Sequence, residues 1–418
     1  MLAMKDLCLV IPPAPYLHQP TMYYPLGLLY IASNARKHGY SVMVDDLRDK
    51  GVRDWSPSFT TNQAKVYGFT ATSGEAEYVK QLSVRAPGSL VVGGAHATLC
   101  TEDYDNFFST IVVGEGEYAI LDILKGKTGI ITTERIKDLD SIPFPAWDLL
   151  PYNRCFSKTL FPGERYGESE YWSATIIGSR GCPYKCDFCG NLLKAPVVYR
   201  SPGNIAEEIK YLLTQYNIGH FRFEDDDLTL NKTWLAGLCR ELAQLGIQFK
   251  GHSRADLITN EDCKLLHYAG CVELGIGLET ADPCILKLVH KNISPEDASK
   301  AVQYMKDSNI RSKVYLMSGL PGETWHSIHL TQQWMKENKP NKWTLARFAP
   351  YPGTAVYKDP ESFHIALDSN FCSAKLWNFP NEIAFTFLKA NKIDSIPKSE
   401  LDDRYNYLYH WLIEEYKA

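Results

Sequence analysis

Runs of consecutive apolar residues alternate with helically spaced ones from the start of the chain. DLCLVIPP (6–13) predicts a strand, PLGLLYIASNARKHG (25–39) an amphipathic helix and YSVMVDDL (40–47) a second strand. AKVYGFTATS (64–73) and GSLVVGGAHA (88–97) follow as strands, with helical EAEYVKQLSVRA (75–86) between them, and TIVVGEGE (110–117) then leads into YAILDILKG (118–126). Near-continuous Val/Ile/Leu strands joined by helices imply a parallel sheet covered on both faces, so residues 1–135 are expected to form a doubly wound, Rossmann-like α/β domain. Only VRDWSPSFTTNQ (52–63) joins the second and third strands, too short for a full crossover helix. IKDLDSIPFPAWDLLPYNRC (136–155) has three prolines and little periodicity, which places a linker over residues 136–169, with Phe144 and Trp147 suited to lie against a surface.

A second alternation follows. Strands are predicted at SATIIGSR (173–180), HFRFEDDD (220–227), IQFKGHSR (247–254), CVELGIGLE (271–279), SKVYLMSGLP (312–321) and KWTLARFAP (342–350). Helical stretches begin near Asn204, Lys232, Asn260, Pro295 and Thr324. Six such units over residues 170–357 suit a partial (β/α)6 TIM-type barrel. Residues 358–418 form a smaller extension, mainly helical, ending in the aromatic-rich LDDRYNYLYHWLIEEYKA.

In both architectures ligands gather at the carboxyl ends of strands. In the first domain those ends are small and polar: Thr70 to Ser73, Gly93 to His96, and Gly114 to Glu117. In the barrel they carry Arg180 and a cysteine loop, Glu224 to Asp227, Ser253–Arg254, Glu279–Thr280, Pro321 to Glu323 and Tyr351 to Gly353. Trp325, Trp343, Trp377 and Tyr351 are candidates for an apolar pocket, with an ordinary core role as the alternative.

Composition narrows the function classes. Lys plus Arg (44) against Asp plus Glu (49) gives a net charge of −5, which predicts no general affinity for nucleic acid or anionic membranes. The opening MLAMKDLCLVIPPAPY does not read as a signal peptide, and no apolar run approaches the ~18 residues of a membrane span. Eight of the 11 cysteines are scattered without pairing logic and read as reduced thiols of a cytoplasmic protein.

The other three are concentrated. GCPYKCDFCG (181–190) spaces Cys182, Cys186 and Cys189 as C-x3-C-x2-C. A cubane iron–sulfur cluster takes four ligands, so three thiolates would leave one iron open to an outside group. Phe188 would shield such a cluster from water, and Gly181 and Pro183 shape the loop. Zinc with a distant fourth ligand and three core cysteines are the competing readings.

SRGCPYKCDFC (179–189) resembles the cluster loop of the radical S-adenosylmethionine (SAM) superfamily. FEDDDLTLN, GHSRADLIT, LGIGLETADPCILKLVHKNISPEDASKAV, LMSGLPGET and RFAPYPGTAVY are similar, in order, to successive barrel strands of its class with an N-terminal cobalamin-binding domain. GGAHAT, VVGEGE and IPFPAWDLLP resemble that class's first domain and linker. The resemblance implies a 4Fe–4S cluster on Cys182, Cys186 and Cys189, with SAM on the fourth iron, cleaved after one-electron reduction to a 5′-deoxyadenosyl radical. Under it, Arg254 suits the SAM carboxylate, and Glu279 the SAM amino group or ribose. Glu224, Asp225, Asp226 and Asp227 are candidates to receive the SAM ammonium or a substrate proton. The strand Val314 to Gly319, with Tyr315 and Met317, and the loop residue Phe188 would pack against SAM.

Cobalamin would sit on Thr72, Ser73, Gly93, Gly94, His96, Gly114, Glu115 and Gly116. The D-x-H-x-x-G signature of a lower histidine ligand is absent, so binding without that ligand is implied, and His96 either faces the cofactor or caps a turn. The leading function is therefore a cobalamin-dependent radical SAM methyltransferase acting on an unactivated carbon, or on phosphorus, of a small-molecule or natural-product-like substrate, with a flavodoxin or ferredoxin as electron donor. A radical SAM enzyme that cyclises, oxidises or rearranges its substrate is the first alternative, and a non-catalytic iron–sulfur protein the second.

Overall fold

The computed structural model describes residues 4–15, 20–21, 24–49, 64–150, 171–193, 196–368, 385–388 and 395–416. The crossover 52–63, the second half of the expected linker and Trp377 lie outside the described residues. The described residues 4–150 belong to one compact unit and 171–416 to another.

In the first unit β1 (Lys5–Ile11), α1 (Leu26–Lys37), β2 (Val42–Asp46), β3 (Ala64–Thr70), α2 (Ala76–Ser83), β4 (Ser89–Gly93), α3 (Ala95–Leu99), β5 (Thr110–Val113), α4 (Gly116–Leu124) and β6 (Gly129–Thr132) follow one another. The sheet order is β2-β1-β3-β4-β5-β6, with every pair parallel. The run of apolar residues in β1 is the reason: its last five residues are all buried, as a strand covered by helices on both faces requires. Because β2 lies on one side of β1 and β3 on the other, the winding reverses between β1 and β3, and the carboxyl ends there border a crevice. The beginning of the expected linker belongs to this unit. Trp147 is 1% exposed and rests on Tyr24 with ring centroids 4.9 Å apart, and Ala146 N–H donates to the Leu29 carbonyl.

In the second unit β7 (Trp172–Ile176) leads to a two-residue ribbon, β8 (Ser179–Arg180) with β9 (Val198–Tyr199). Then come α5 (Pro202–Tyr216), β10 (Ile218–Phe223), α6 (Lys232–Leu242), β11 (Gln248–Ser253), α7 (Asn260–Tyr268), β12 (Cys271–Glu279), α8 (Pro283–Leu288), α9 (Pro295–Asp307), β13 (Arg311–Ser318), α10 (Trp325–Asn338) and β14 (Lys342–Arg347). The parallel order β14-β13-β12-β11-β10-β7 is a curled half-barrel of the six expected strands. Its helices start where the sequence caps them: Ser201, Asn231, Thr259, Ser294 and Thr324 each accept a backbone N–H of the first turn.

The extension adds a hairpin, β15 (Ile365–Leu367) with β16 (Phe385–Phe387), and the long α11 (Lys398–Glu415). Phe385, Phe387, Ile365 and Leu401 share one apolar cluster with Ile285, Leu320 and Phe348, and Phe188 and Met317 pack against it. Arg404 of α11, 4% exposed, donates to the Glu323 carbonyl. Among the described residues no helix is long and apolar enough to cross a membrane.

Candidate active site

The cysteine loop springs from the carboxyl end of the first barrel strand, held between β8 and β9. Cys182 N–H donates to the Leu193 carbonyl, closing the loop, and Cys189 N–H to that of Cys186, forming a tight turn. All three thiols are half-buried and unbridged, whereas Cys239, Cys263 and Cys271 are at most 1% exposed. Core packing therefore describes the second set and not the first.

The carboxylates after β10 divide by the strand's two-residue period. Asp225 and Asp227 are buried and turned inward. Asp225 accepts from Gly178 N–H (3.0 Å) and Ser179 Oγ (2.5 Å), and Asp227 from Thr229 N–H, Ser253 Oγ and Arg254 N–H. Burial pushes the Asp225 carboxyl up to about 6 and raises that of Asp227. Asp226 accepts from Asn191 of the cysteine loop at 2.8 Å, and Glu224 pairs with Arg222. The first two brace the loops around the site; the other two face outward.

Arg254 is 7% exposed, with Nε and Nη2 engaged by its neighbours. Its Nε and Nη2 grip the two oxygens of Asp256 at 3.0 and 3.1 Å, and Nη2 also donates to the Lys291 carbonyl. Its Cζ stands 3.6 Å from the Tyr184 ring centroid, leaving Nη1 at 4.0 Å from Cys186 Sγ. A guanidinium held this way sits against the cysteines, as a contact to a cluster-bound carboxylate requires. Glu279 ends β12 at a register shift with φ +67°, a left-handed backbone that a glutamate rarely adopts, and binds Lys291 Nζ at 3.0 Å. Tyr315 Oη meets His252 Nδ1 at 3.2 Å, and Met317 lies on the apolar cluster that also seats Phe188.

Sequence reasoning missed the groups that anchor the loop. Asp187 N–H donates to the Val289 carbonyl, its carboxylate meets His290 Nδ1 at 2.5 Å, and Tyr184 supports Arg254. The signal was the tripeptide His290-Lys291-Asn292, whose outer members both have positive φ. Trp325 and Trp343 pack against Tyr407 and Tyr409 of α11 instead of converging on a pocket.

In the first unit the end of β3 presents Thr72, exposed, and Ser73 at the switch point. Ser73 Oγ is held by His96 Nδ1 at 3.0 Å, and His96 Nε2 by Asp103 at 2.9 Å. His96 is 1% exposed, so its imidazole cross-links two turns. Gly94 has φ +98°, and a Cβ there would meet the Ala71 carbonyl at 3.0 Å. Gly93 has ordinary space, Gly114 N–H donates to Thr98 Oγ1, and Gly116 packs on Ile31. Glu115 turns toward the linker, accepting from Ile136 N–H at 2.8 Å. This small-residue edge, with its imidazole already engaged, fits a broad flat cofactor held without a lower histidine.

A half-barrel with three free thiols at its first strand end defines a radical SAM fold. Residues 176–335 match the radical SAM superfamily. An uncharacterized methyltransferase of Pyrococcus horikoshii is 27% identical over 83% of this chain and 80% of its own. The anaerobic magnesium-protoporphyrin IX monomethyl ester cyclase of Rubrivivax gelatinosus is 24% identical over 80% of this chain and 66% of its own. In fold the chain is similar to the radical SAM methyltransferase TsrM of Kitasatospora setae, solved with cobalamin and a 4Fe–4S cluster bound, with a TM-score of 0.71, 15% identity, and coverage of 97% of this chain and 91% of that one.

Proposed function

We propose that the protein is a cobalamin-dependent radical SAM methyltransferase that methylates an unactivated carbon, or phosphorus, of a small-molecule substrate. The observation that carries this reading is the joining, in one chain, of a loop with three half-buried, unbridged thiols at the end of the first barrel strand with a parallel sheet whose switch-point edge is small and polar. The likeness to a cobalamin-bound methyltransferase over nearly the whole chain supports it. When bound, the cluster supplies the electron that cleaves SAM, and cobalamin supplies the methyl group.

The chain's own residues bind and orient. Cys182, Cys186 and Cys189 hold the cluster, and Phe188 shields it from water. Arg254, fixed by Asp256 and Tyr184, takes the SAM carboxylate, and Glu279 the amino group. Asp226, held by Asn191, and Glu224, paired with Arg222, are the outward acids that would meet substrate, and Tyr315 and Met317 pack the adenine. Thr72 and Ser73 would hold the cobalamin at the end of β3. A flavodoxin or ferredoxin supplies electrons in the cytoplasm, where the nine unbridged cysteines of the described residues would stay reduced.

The test is anaerobic turnover with a spectrum of the loaded protein. Bands of both cluster and cobalamin are expected, with S-adenosylhomocysteine and 5′-deoxyadenosine formed together. Reductive SAM cleavage by protein that takes up no cobalamin would overturn the methyltransferase reading. Similarity to a cyclase favours the second reading, radical chemistry without methyl transfer, in which 5′-deoxyadenosine forms without S-adenosylhomocysteine.

A further inference from the structure

Lys291 is a buried cation on the short turn after α8, 9% exposed and flanked by His290 (φ +49°) and Asn292 (φ +51°). Left-handed residues on either side of it fix where its side chain goes, and the turn is tied down by Lys291 N–H to the Leu286 carbonyl. Every other contact of Lys291 belongs to the site. Its carbonyl accepts from Arg254 Nη2, its ammonium donates to Glu279 Oε1 at 3.0 Å, and the same ammonium stands 5.9 Å from the Phe188 ring centroid, inside the cysteine loop. A Cβ at Gly277 would meet Lys291 Nζ at 2.7 Å and Glu279 Oε1 at 2.4 Å, so the ion pair occupies space that only glycine leaves free.

An ion pair buried this deeply is poor evidence for stability, since desolvation offsets its attraction. It does fix an oriented dipole. The ammonium end of the pair stands 5.9 Å from the centroid of the Phe188 ring of the cysteine loop. The pair therefore presents its positive end to the loop. Arg254, in contrast, has its charge clamped between both oxygens of Asp256.

We propose that Lys291 is a positioning residue that makes the cluster easier to reduce by holding a desolvated positive charge beside the cysteine loop. The proposal rests on the reading of the three cysteines as cluster ligands. Reduction adds one electron to a cluster that is already anionic with its thiolates, and a fixed cation in a low-dielectric setting stabilises the added charge. In that step the cluster gains one electron and the donor, dithionite in the assay, loses one; no proton or ligand is exchanged.

The experiment is an anaerobic redox titration of the full chain, without SAM, monitored by electron paramagnetic resonance and paired with iron analysis. Lys291→Met should keep four irons per chain and lower the reduced-to-oxidised ratio at a fixed potential about tenfold, equivalent to about 59 mV for a one-electron couple. Lys291→Arg should restore the wild-type ratio. Glu279→Gln, which removes the opposing charge, should raise it. Lys291→Met with full iron and an unchanged ratio overturns the proposal, as does Glu279→Gln with an unchanged or lowered ratio, which decides the matter if the methionine variant takes up no iron. Wild-type protein unable to hold a four-iron cluster overturns the proposed function and this inference with it.

Discussion

The guanidinium of Arg254 lies over the ring of Tyr184, Cζ 3.6 Å from its centroid, with Nη1 4.0 Å from Cys186 Sγ. One arginine thus joins the end of β11 to the cysteine loop. Arg254→Lys keeps the cation and loses the fork, so SAM affinity should fall about tenfold, the equivalent of ~1.4 kcal/mol, with iron content unchanged. Calorimetric titration of SAM into cluster-loaded protein measures it. Unaltered affinity would place Arg254 outside the SAM site.

Each of Cys182→Ala, Cys186→Ala and Cys189→Ala should abolish the reconstituted four-iron cluster. Cys239→Ala and Cys263→Ala, at buried positions on α6 and α7, should retain it. Iron and sulfide analysis separates the two groups, and iron lost from a helix variant would reveal a fourth ligand.

Thr72→Trp tests the cobalamin edge. Thr72 is exposed at the end of β3, so bulk there should block cobalamin uptake and spare the cluster. Gly94 is the poorer choice: its φ of +98° and the nearby Ala71 carbonyl mean that any side chain strains the turn itself. Absorbance of protein loaded with both groups reads both effects at once.

Glu323 predicts a pH dependence. Its carboxyl is 6% exposed, and burial pushes its pKa from 4.5 up to about 7, despite the bond from Gly319 N–H at 2.8 Å. Between those values the folded chain holds a proton that the unfolded chain has lost. Stability therefore falls as pH rises from about 4.5 and levels off above about 7, a change on the order of 3 kcal/mol from this group. Glu323→Gln should remove that slope, seen as a smaller difference between melting temperatures at pH 6 and pH 8 than in wild type.

The twelve principal strands were legible where apolar runs were continuous, save one. β6 has a single buried residue among its four and offered no pattern to read. The hairpin β15–β16 is only three residues on each side and lies where the periodicity thins. In the site the cysteines and Arg254 stood out because their chemistry is unusual at such positions. Lys291 did not, because a lysine in a turn ordinarily reads as a solvated charge, and its burial follows from packing against β12 and the cysteine loop, the latter from a distant part of the chain. Asp225 and Asp227 were legible as residues but not in their orientation, which follows the alternation from buried Phe223.

Phe188 and Met317 rest on the same apolar cluster as Phe385, Phe387 and Leu401. During synthesis the cysteines leave the ribosome long before that supporting wall exists. A nascent chain interrupted before Leu401 has all three thiols but no seat for the loop that carries them, and it is expected to stay free of iron. Cluster delivery is then expected to follow synthesis of α11, and the order of translation itself keeps a reactive metal out of shorter nascent chains.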